Sequence, residues 1–263
     1  MSERDDLPAG DGGVKSSFTA WLDNFWYHYK WHTIAIVFII AVVVICTLQM
    51  CDRTEMDVNI LYAGNDDISM TRDGEELSEY EELVKACLRF IADRDGDGKR
   101  TPAVLNLFIP SDEKIAEIES DPKVEVNESL VRENLSTFNS NVVFGDYYIC
   151  IIGEHLLDMK VTKEEKDNPF VKITSYLPEG ADYVYGDKDT VHDGYVLCSD
   201  YGVYLHSTPL KDNPAFSELD KNTVIVMRKF SEVTSNFSTS KAEDYFRFCE
   251  DVLRKMLIDE AYE

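Results

Sequence analysis

Three aspartates at alternate positions followed by a glycine are the one arrangement in this chain whose types and spacing spell out a chemistry. They lie in "ADRDGDGKRT", residues 92–101, as Asp93, Asp95, Asp97 and Gly98. Alternate carboxylates before a sharp glycine turn converge on one point, and calcium takes about six to eight oxygen ligands. The residues occupy positions 1, 3, 5 and 6 of an EF-type loop, and Lys99 offers its backbone carbonyl at position 7. The second half of the motif departs from that pattern. Val104 stands where a bidentate glutamate belongs, Arg100 replaces an apolar residue, and Pro102 opposes a following helix. A further ligand must come from elsewhere in the chain. Calcium is the expected cation, as a structural staple rather than a sensor, because no second loop pairs with it. Magnesium tolerates fewer protein ligands and fits less well. The plain alternative is a solvated turn, since Asp and Gly are ordinary turn formers and Arg94, Lys99 and Arg100 offset the charge.

No other enzymatic or metal constellation emerges. His155, His192 and His206 are scattered, and the neighbouring His192 and Asp193 do not make a dyad by adjacency. G-x-S-x-G, P-loop, H-E-x-x-H and zinc spacings are missing. The expectation is a protein that is not an enzyme. Six cysteines without C-x-x-C read as buried thiols rather than a disulfide framework. Sequons at Asn127, Asn134 and Asn236 matter only in a glycosylating pathway.

The elements that would position the loop start behind a membrane anchor. From Thr33 to Cys51 the chain carries no charge. At about 1.5 Å per residue that run matches a hydrocarbon core of about 30 Å. We read residues 1–15 as a disordered tail, 16–31 as an interfacial aromatic helix, 32–51 as a transmembrane helix and 52–263 as one extracytoplasmic domain. Phe18, Trp21, Leu22, Phe25, Trp26 and Tyr29 recur at helical spacing ahead of the span, as in an aromatic belt at the lipid headgroups. The run is long and ends without a small-residue cleavage site, which favours an uncleaved signal anchor. "LQMC" at its end carries Met50 where a lipoprotein cleavage site needs a small residue. Lys15 and Lys30 before the span, against Arg53 after it, put the N-terminus in the cytoplasm and the protein in the cell membrane as a single-pass chain.

The chain has 263 residues, 50 acidic ones and a net charge of −24, most of it beyond the span. That excludes nucleic acid as a partner and opposes lying flat on anionic lipid. Apolar runs at 57–64, 103–109, 146–153 and 223–230 read as strands, alternating with helical segments at 78–93, after Ser111, at 127–141, at 154–159 and at the C-terminus. Leu130, Leu135 and Phe138 are expected inward. The fold class is therefore α/β, a mostly parallel sheet flanked by helices, preceded by one N-terminal transmembrane helix.

"FGDYYICIIGEHLLDM" (Phe144–Met159) resembles the segment of bacterial type 2 solute-binding proteins in which a Gly-Asp turn leads into a buried strand. "YLPEGAD", "YGVYLHSTPL" and "TVIVMRKF" with the last helix are similar to those proteins' return strands. The resemblance covers residues 57–258 and implies a binder of small solutes. The chain is too short for two full lobes, its anchor is a helix, and no family binding residue has a counterpart here. The layout also resembles small single-pass membrane proteins of anaerobic Gram-positive bacteria. The expected function is a membrane-anchored binding module for a small solute or protein partner, attached to membrane lipid by its N-terminal helix. The alternative is an assembly subunit of a membrane complex. In an open α/β sheet ligands bind beyond the carboxyl ends of strands, so Gly64–Asn65, Pro110–Ser111 and Gly153–Glu154 are the turns to watch.

Overall fold

The computed structural model describes residues 17–51, 56–69, 78–121, 125–162, 164–230 and 239–262. The expected tail at 1–15 lies outside these. The chain divides into two compact units, Met1–Thr54 and Glu55–Glu263.

In the first unit, α1 runs unbroken from Ser17 to Cys51. The aromatic segment and the apolar segment are thus one helix, not two. Within it Tyr29–Thr47 has a mean hydropathy of 2.2 and none of it is buried by protein. Among the described residues, one helix is therefore long and apolar enough to cross a membrane. Trp21 stacks on Phe25 at 5.6 Å and Phe25 on Tyr29 at 5.4 Å. These rings sit at i, i+4 and i+8, where a helix brings side chains over one another. Thr47 turns its hydroxyl back to the Val43 carbonyl at 2.7 Å, so the hydroxyl is satisfied inside the helix.

Among the described residues the second unit holds eight strands: β1 (Val58–Gly64), β2 (Pro102–Phe108), β3 (Ile149–Gly153), β4 (Phe170–Val171), β5 (Tyr183–Tyr185), β6 (Tyr195–Ser199), β7 (Gly202–Tyr204) and β8 (Thr223–Arg228). Its helices are α2 (Glu79–Cys87), α3 (Asp112–Ile118), α4 (Glu128–Phe144), α5 (Glu154–Lys160), α6 (Pro214–Ser217) and α7 (Thr239–Ile258). The strands form one sheet in the order β2-β1-β3-β8-β7-β6-β5, with β4 also on β8.

The sheet is mixed, which corrects the expectation of a mostly parallel one. β1 pairs in parallel with β2 and β3, and β5 with β6. β8 runs antiparallel to β3, β4 and β7, and β6 to β7. The reason lies in the connections. Parallel neighbours are usually joined by long crossovers that carry a helix, and these serve β1, β2 and β3 in the first half, while β5 reaches its parallel neighbour β6 through the irregular stretch 186–194. β6 and β7 are instead joined through Asp200–Tyr201, a two-residue hairpin. β8 reads as a continuous apolar run in either direction because both its faces are covered.

Alternation assigns each side chain to a face. Ile60, Tyr62, Ile149, Ile151, Ile225 and Met227 pack with α2 and α7 on one side. Leu61, Ala63, Cys150, Ile152, Val224 and Val226 pack with α4 and α5 on the other. α2 begins with the expected capping box: Ser78 accepts from Glu81 N at 3.3 Å, and Glu81 accepts from Ser78 N at 2.9 Å. In α4 the buried residues are Phe138 and Val142. Leu130 is 44% exposed, so its expected inward position is corrected. It falls in the first turn of α4, where it borders an open cavity with Asn106 and Phe108 of β2. Cys87, Cys150, Cys198 and Cys249 are free, and burial raises each thiol to about 12.

The topology has a switch point. The chain leaves β1 through α2 to reach β2 on one side, then returns past β1 through α4 to β3 on the other. α2 and α4 lie on opposite faces. At such a reversal the helices diverge and leave a crevice at the carboxyl ends of the strands.

Candidate functional site

Two places gather chemistry. The first is the aspartate loop between α2 and β2. Asp93 accepts from Gly96 N and Gly98 N, both at 2.8 Å. Asp95 accepts from Asp97 N at 3.0 Å, and Asp97 from Lys99 N at 2.7 Å. Gly96 and Gly98 both have positive φ, 76° and 83°, so glycine is required at each. The loop is thus folded by its own carboxylates.

Asp57, just before β1, is the residue that sequence reasoning did not supply. It is 1% exposed, and its carboxylate accepts from Arg94 N at 2.7 Å, Thr101 N at 2.8 Å and Thr101 Oγ1 at 3.2 Å. It therefore pins both ends of the loop to the sheet. Asp57, Asp93 and Asp95 can each bring one oxygen within 4.8 Å of the others. Asp97 is not in that set of side chains, and its Oδ1 accepts from the backbone N–H of Lys99, the residue expected to offer its carbonyl. Arg94 turns Nε and Nη2 to the carbonyls of Asp57 and Met56, at 3.2 and 3.3 Å, and lies over the Tyr245 ring.

The electrostatics divide the pair. N–H donation from Gly98, then Gly96, holds Asp93 below the usual carboxylate range. At Asp95 the Asp97 N–H pulls down, but desolvation and the charges of Asp97 and Asp57, with a contact to Asp93, outweigh it and raise the pKa. Crowded carboxylates of this kind relax when a divalent cation arrives. An all-oxygen, carboxylate donor set suits calcium, and Asp57 would supply the ligand that the loop lacks after position 7.

The second place is the switch point. Asn65 follows β1, Ser111 follows β2, and Glu154 and His155 follow β3; together with Asp112 and Asp158 they line one cavity of about 300 Å³. The three turns expected from the sequence meet here. Parallel register explains it, because Gly64 lies beside Phe108, and Ala63 beside Ile152. Asn222 joins them because antiparallel β8 starts where β3 ends, and Glu154 N bonds its carbonyl at 2.8 Å. Asn65 ties the floor together: its Oδ1 accepts from Ser111 N at 2.8 Å and its Nδ2 donates to Asp220 at 3.3 Å.

His155 folds back over Gly153, where a Cβ would come within 2.6 Å of the ring. Its Nε2 lies 3.0 Å from the Ile109 carbonyl. A carbonyl only accepts, so Nε2 carries the proton and Nδ1 keeps its lone pair. Burial lowers the pKa of His155 more than the Ile109 bond and the carboxylates of Asp220, Asp112 and Asp158 raise it. The imidazole is neutral at physiological pH. Because the unfolded state binds that proton more readily, this part of stability is present above pH 6.5, the ordinary histidine value, and is lost as pH falls through the lower folded value. Unfolding by urea across pH 5–8 should show that loss, and His155→Gln should flatten it. An unchanged slope in the variant would place the effect elsewhere, His206 being the next candidate because burial lowers it too.

No protein-family model, curated protein or solved structure matches this chain. What fold and site define is an α/β unit with a mixed sheet, an open switch-point cavity and an acidic loop, following one apolar helix.

Proposed function

We propose that the chain is a non-enzymatic, membrane-anchored extracytoplasmic binding module that seats a small solute at its switch-point cavity. The observation that carries this reading is the convergence of three strand-end turns on one cavity. At about 300 Å³ it stands at the lower end of the range for small-molecule sites. The uniformly apolar stretch of α1 supports the anchor, and Lys15 and Lys30 support a cytoplasmic N-terminus. Full-length protein in detergent, screened against a library of small polar solutes by thermal shift, tests it. A solute should raise the melting temperature of the parent and leave Asn222→Trp, which fills the cavity, unmoved. A response shared by both would remove the site, and silence across the library would remove the reading.

Calcium at Asp57, Asp93 and Asp95 is the second part of the proposal, as a structural ion. Binding to the native state at a hundredfold excess over Kd adds about 2.7 kcal/mol. For a domain of this size that is about 5–10 °C in melting temperature. Calcium after EGTA should give that rise in the parent and none in Asp93→Asn/Asp95→Asn, while Asp97→Asn keeps it. Equal responses in the parent and the double variant would return residues 92–101 to a solvated turn.

A further inference from the structure

We infer that the outer edge of β5 is a docking surface for an extended basic segment of a partner protein, which adds to the sheet as a further strand. β5 ends the strand order, and among the described residues it pairs only with β6. The Asp182 carbonyl and the Gly186 N–H are turned to β6, where they bond Tyr195 N and Leu197 O, each at 3.0 Å. With a period of two, the N–H and C=O groups of Tyr183 and Tyr185 point the other way, off the sheet. Main-chain groups in such a row are what hold an added strand. Three strands, β8, β7 and β6, separate β5 from β3. The edge is therefore distinct from the switch-point cavity and stands whether or not that cavity takes a solute.

The opposite edge of the sheet is blunted in two ways. On β2 the Thr101 carbonyl and the Ile109 N–H bond β1, so the even-numbered residues between them face outward. Of these, Pro102 has no N–H to offer, and the Phe108 carbonyl accepts from Asn134 Nδ2 at 3.0 Å. Proline and covering side chains are the usual means of closing an edge. Among the described residues β5, which reads Tyr-Val-Tyr, has neither.

Side chains and charge select the occupant. Val184 packs against the core, so Tyr183 and Tyr185 share the outer face, 42% and 57% exposed, with ring centroids 6.2 Å apart. Tyr195 of β6 stands beside Tyr183 in register. Tyrosine faces attract Lys and Arg. Exposed carboxylates bracket the strand, Asp182 and Asp193 where it enters, Asp187 and Asp200 where it leaves. Asp200 also accepts from the Tyr185 hydroxyl at 2.6 Å, which fixes that ring. Lys188, the cation of this stretch, is paired with Asp189 at 2.7 Å. A second copy of the chain would bring the same carboxylates to the same edge and be repelled. Complementary charge therefore favours a partner segment rich in Lys or Arg.

The test uses the full-length chain in detergent and, as probe, a capped heptapeptide with lysine at both ends and alternating threonine and valine between them. Calorimetry should show binding that weakens with added sodium chloride. A twin whose backbone amides are all N-methylated keeps the charge but has no N–H to donate, and should bind about tenfold more weakly or worse. A twin with glutamate at both ends should not bind. Tyr183→Ala/Tyr185→Ala should lower affinity on the order of tenfold, and Asp182→Asn/Asp193→Asn by about two- to fivefold for each charge removed. Each variant's melting temperature without peptide checks its fold. Glu128→Gln/Glu133→Gln on α4 removes the same charge elsewhere and should change nothing. Equal binding of the lysine peptide and its N-methylated twin, or equal losses in all three variants, would mean diffuse counterion attraction and overturn the inference. Binding of the glutamate twin, or silence of the lysine peptide, would overturn it as well. Light scattering without peptide addresses the remaining occupant. A dimer in the parent that turns monomeric in Tyr183→Ala/Tyr185→Ala would give the edge to a second copy and overturn the basic partner.

Discussion

Asp57→Ala should cost the outer unit about 3–4 kcal/mol and lower its melting temperature by about 10 °C, measured by urea and thermal unfolding. The carboxylate is 1% exposed and receives three donors, from Arg94 N, Thr101 N and Thr101 Oγ1. Truncation leaves these part-buried donors facing a void, and orphaned donors cost more than the net worth of the bonds they made. It also frees both ends of the aspartate loop from the start of β1. Asp57→Asn keeps the shape and one acceptor oxygen, so it should cost about 1–2 kcal/mol. The loss should persist in EGTA, because the pin needs no ion. In calcium the gap between parent and Asp57→Ala should widen, because only the parent can gain. A gap that closes in EGTA would mean that Asp57 acts through the ion alone.

Phe138→Ala should be as damaging, at about 3–5 kcal/mol in equilibrium unfolding. Phe138 is fully buried where α4 meets the sheet, in the cluster with Val142, Leu107 and Ile152. Removing the ring loses its transfer free energy and leaves a cavity that close-packed neighbours cannot fill. α4 is also one of the two helices whose divergence opens the crevice, so solute binding should weaken together with stability. The companion Leu130→Ala, in the same helix but 44% exposed, should change stability by under about 0.5 kcal/mol. Equal costs at the two positions would mean that the first turn of α4 packs as tightly as its middle.

The contrast between Phe138 and Leu130 shows where sequence pattern stops. A period of 3.6 places both on an apolar stripe. How far along its axis the helix touches the sheet depends on how α4 packs against β2, which no local pattern encodes. The strands behave in the same way. Their existence and limits follow from β-rich apolar runs ended by glycine, as with Val58–Gly64 and Ile149–Gly153. Their direction does not, since a strand covered on both faces reads alike forwards and backwards. β8 therefore entered the expectation as one more strand of a mostly parallel sheet and emerged antiparallel to β3.

The candidate sites divide along the same line. The sequence by itself determined the apolar helix, the helix caps at Ser78 and Ser111, the acidic balance and the turn at residues 93–98, because each depends on neighbours within a few positions. Strand ends likewise marked Asn65, Ser111 and Glu154. Only the tertiary structure decided that Asp57, 36 residues before Asp93, closes the aspartate loop. Only parallel register and the antiparallel return of β8 brought the three turns and Asn222 around one cavity. Proximity across a sheet is set by which strand pairs with which, and that choice belongs to the packing of the whole core rather than to any segment of it.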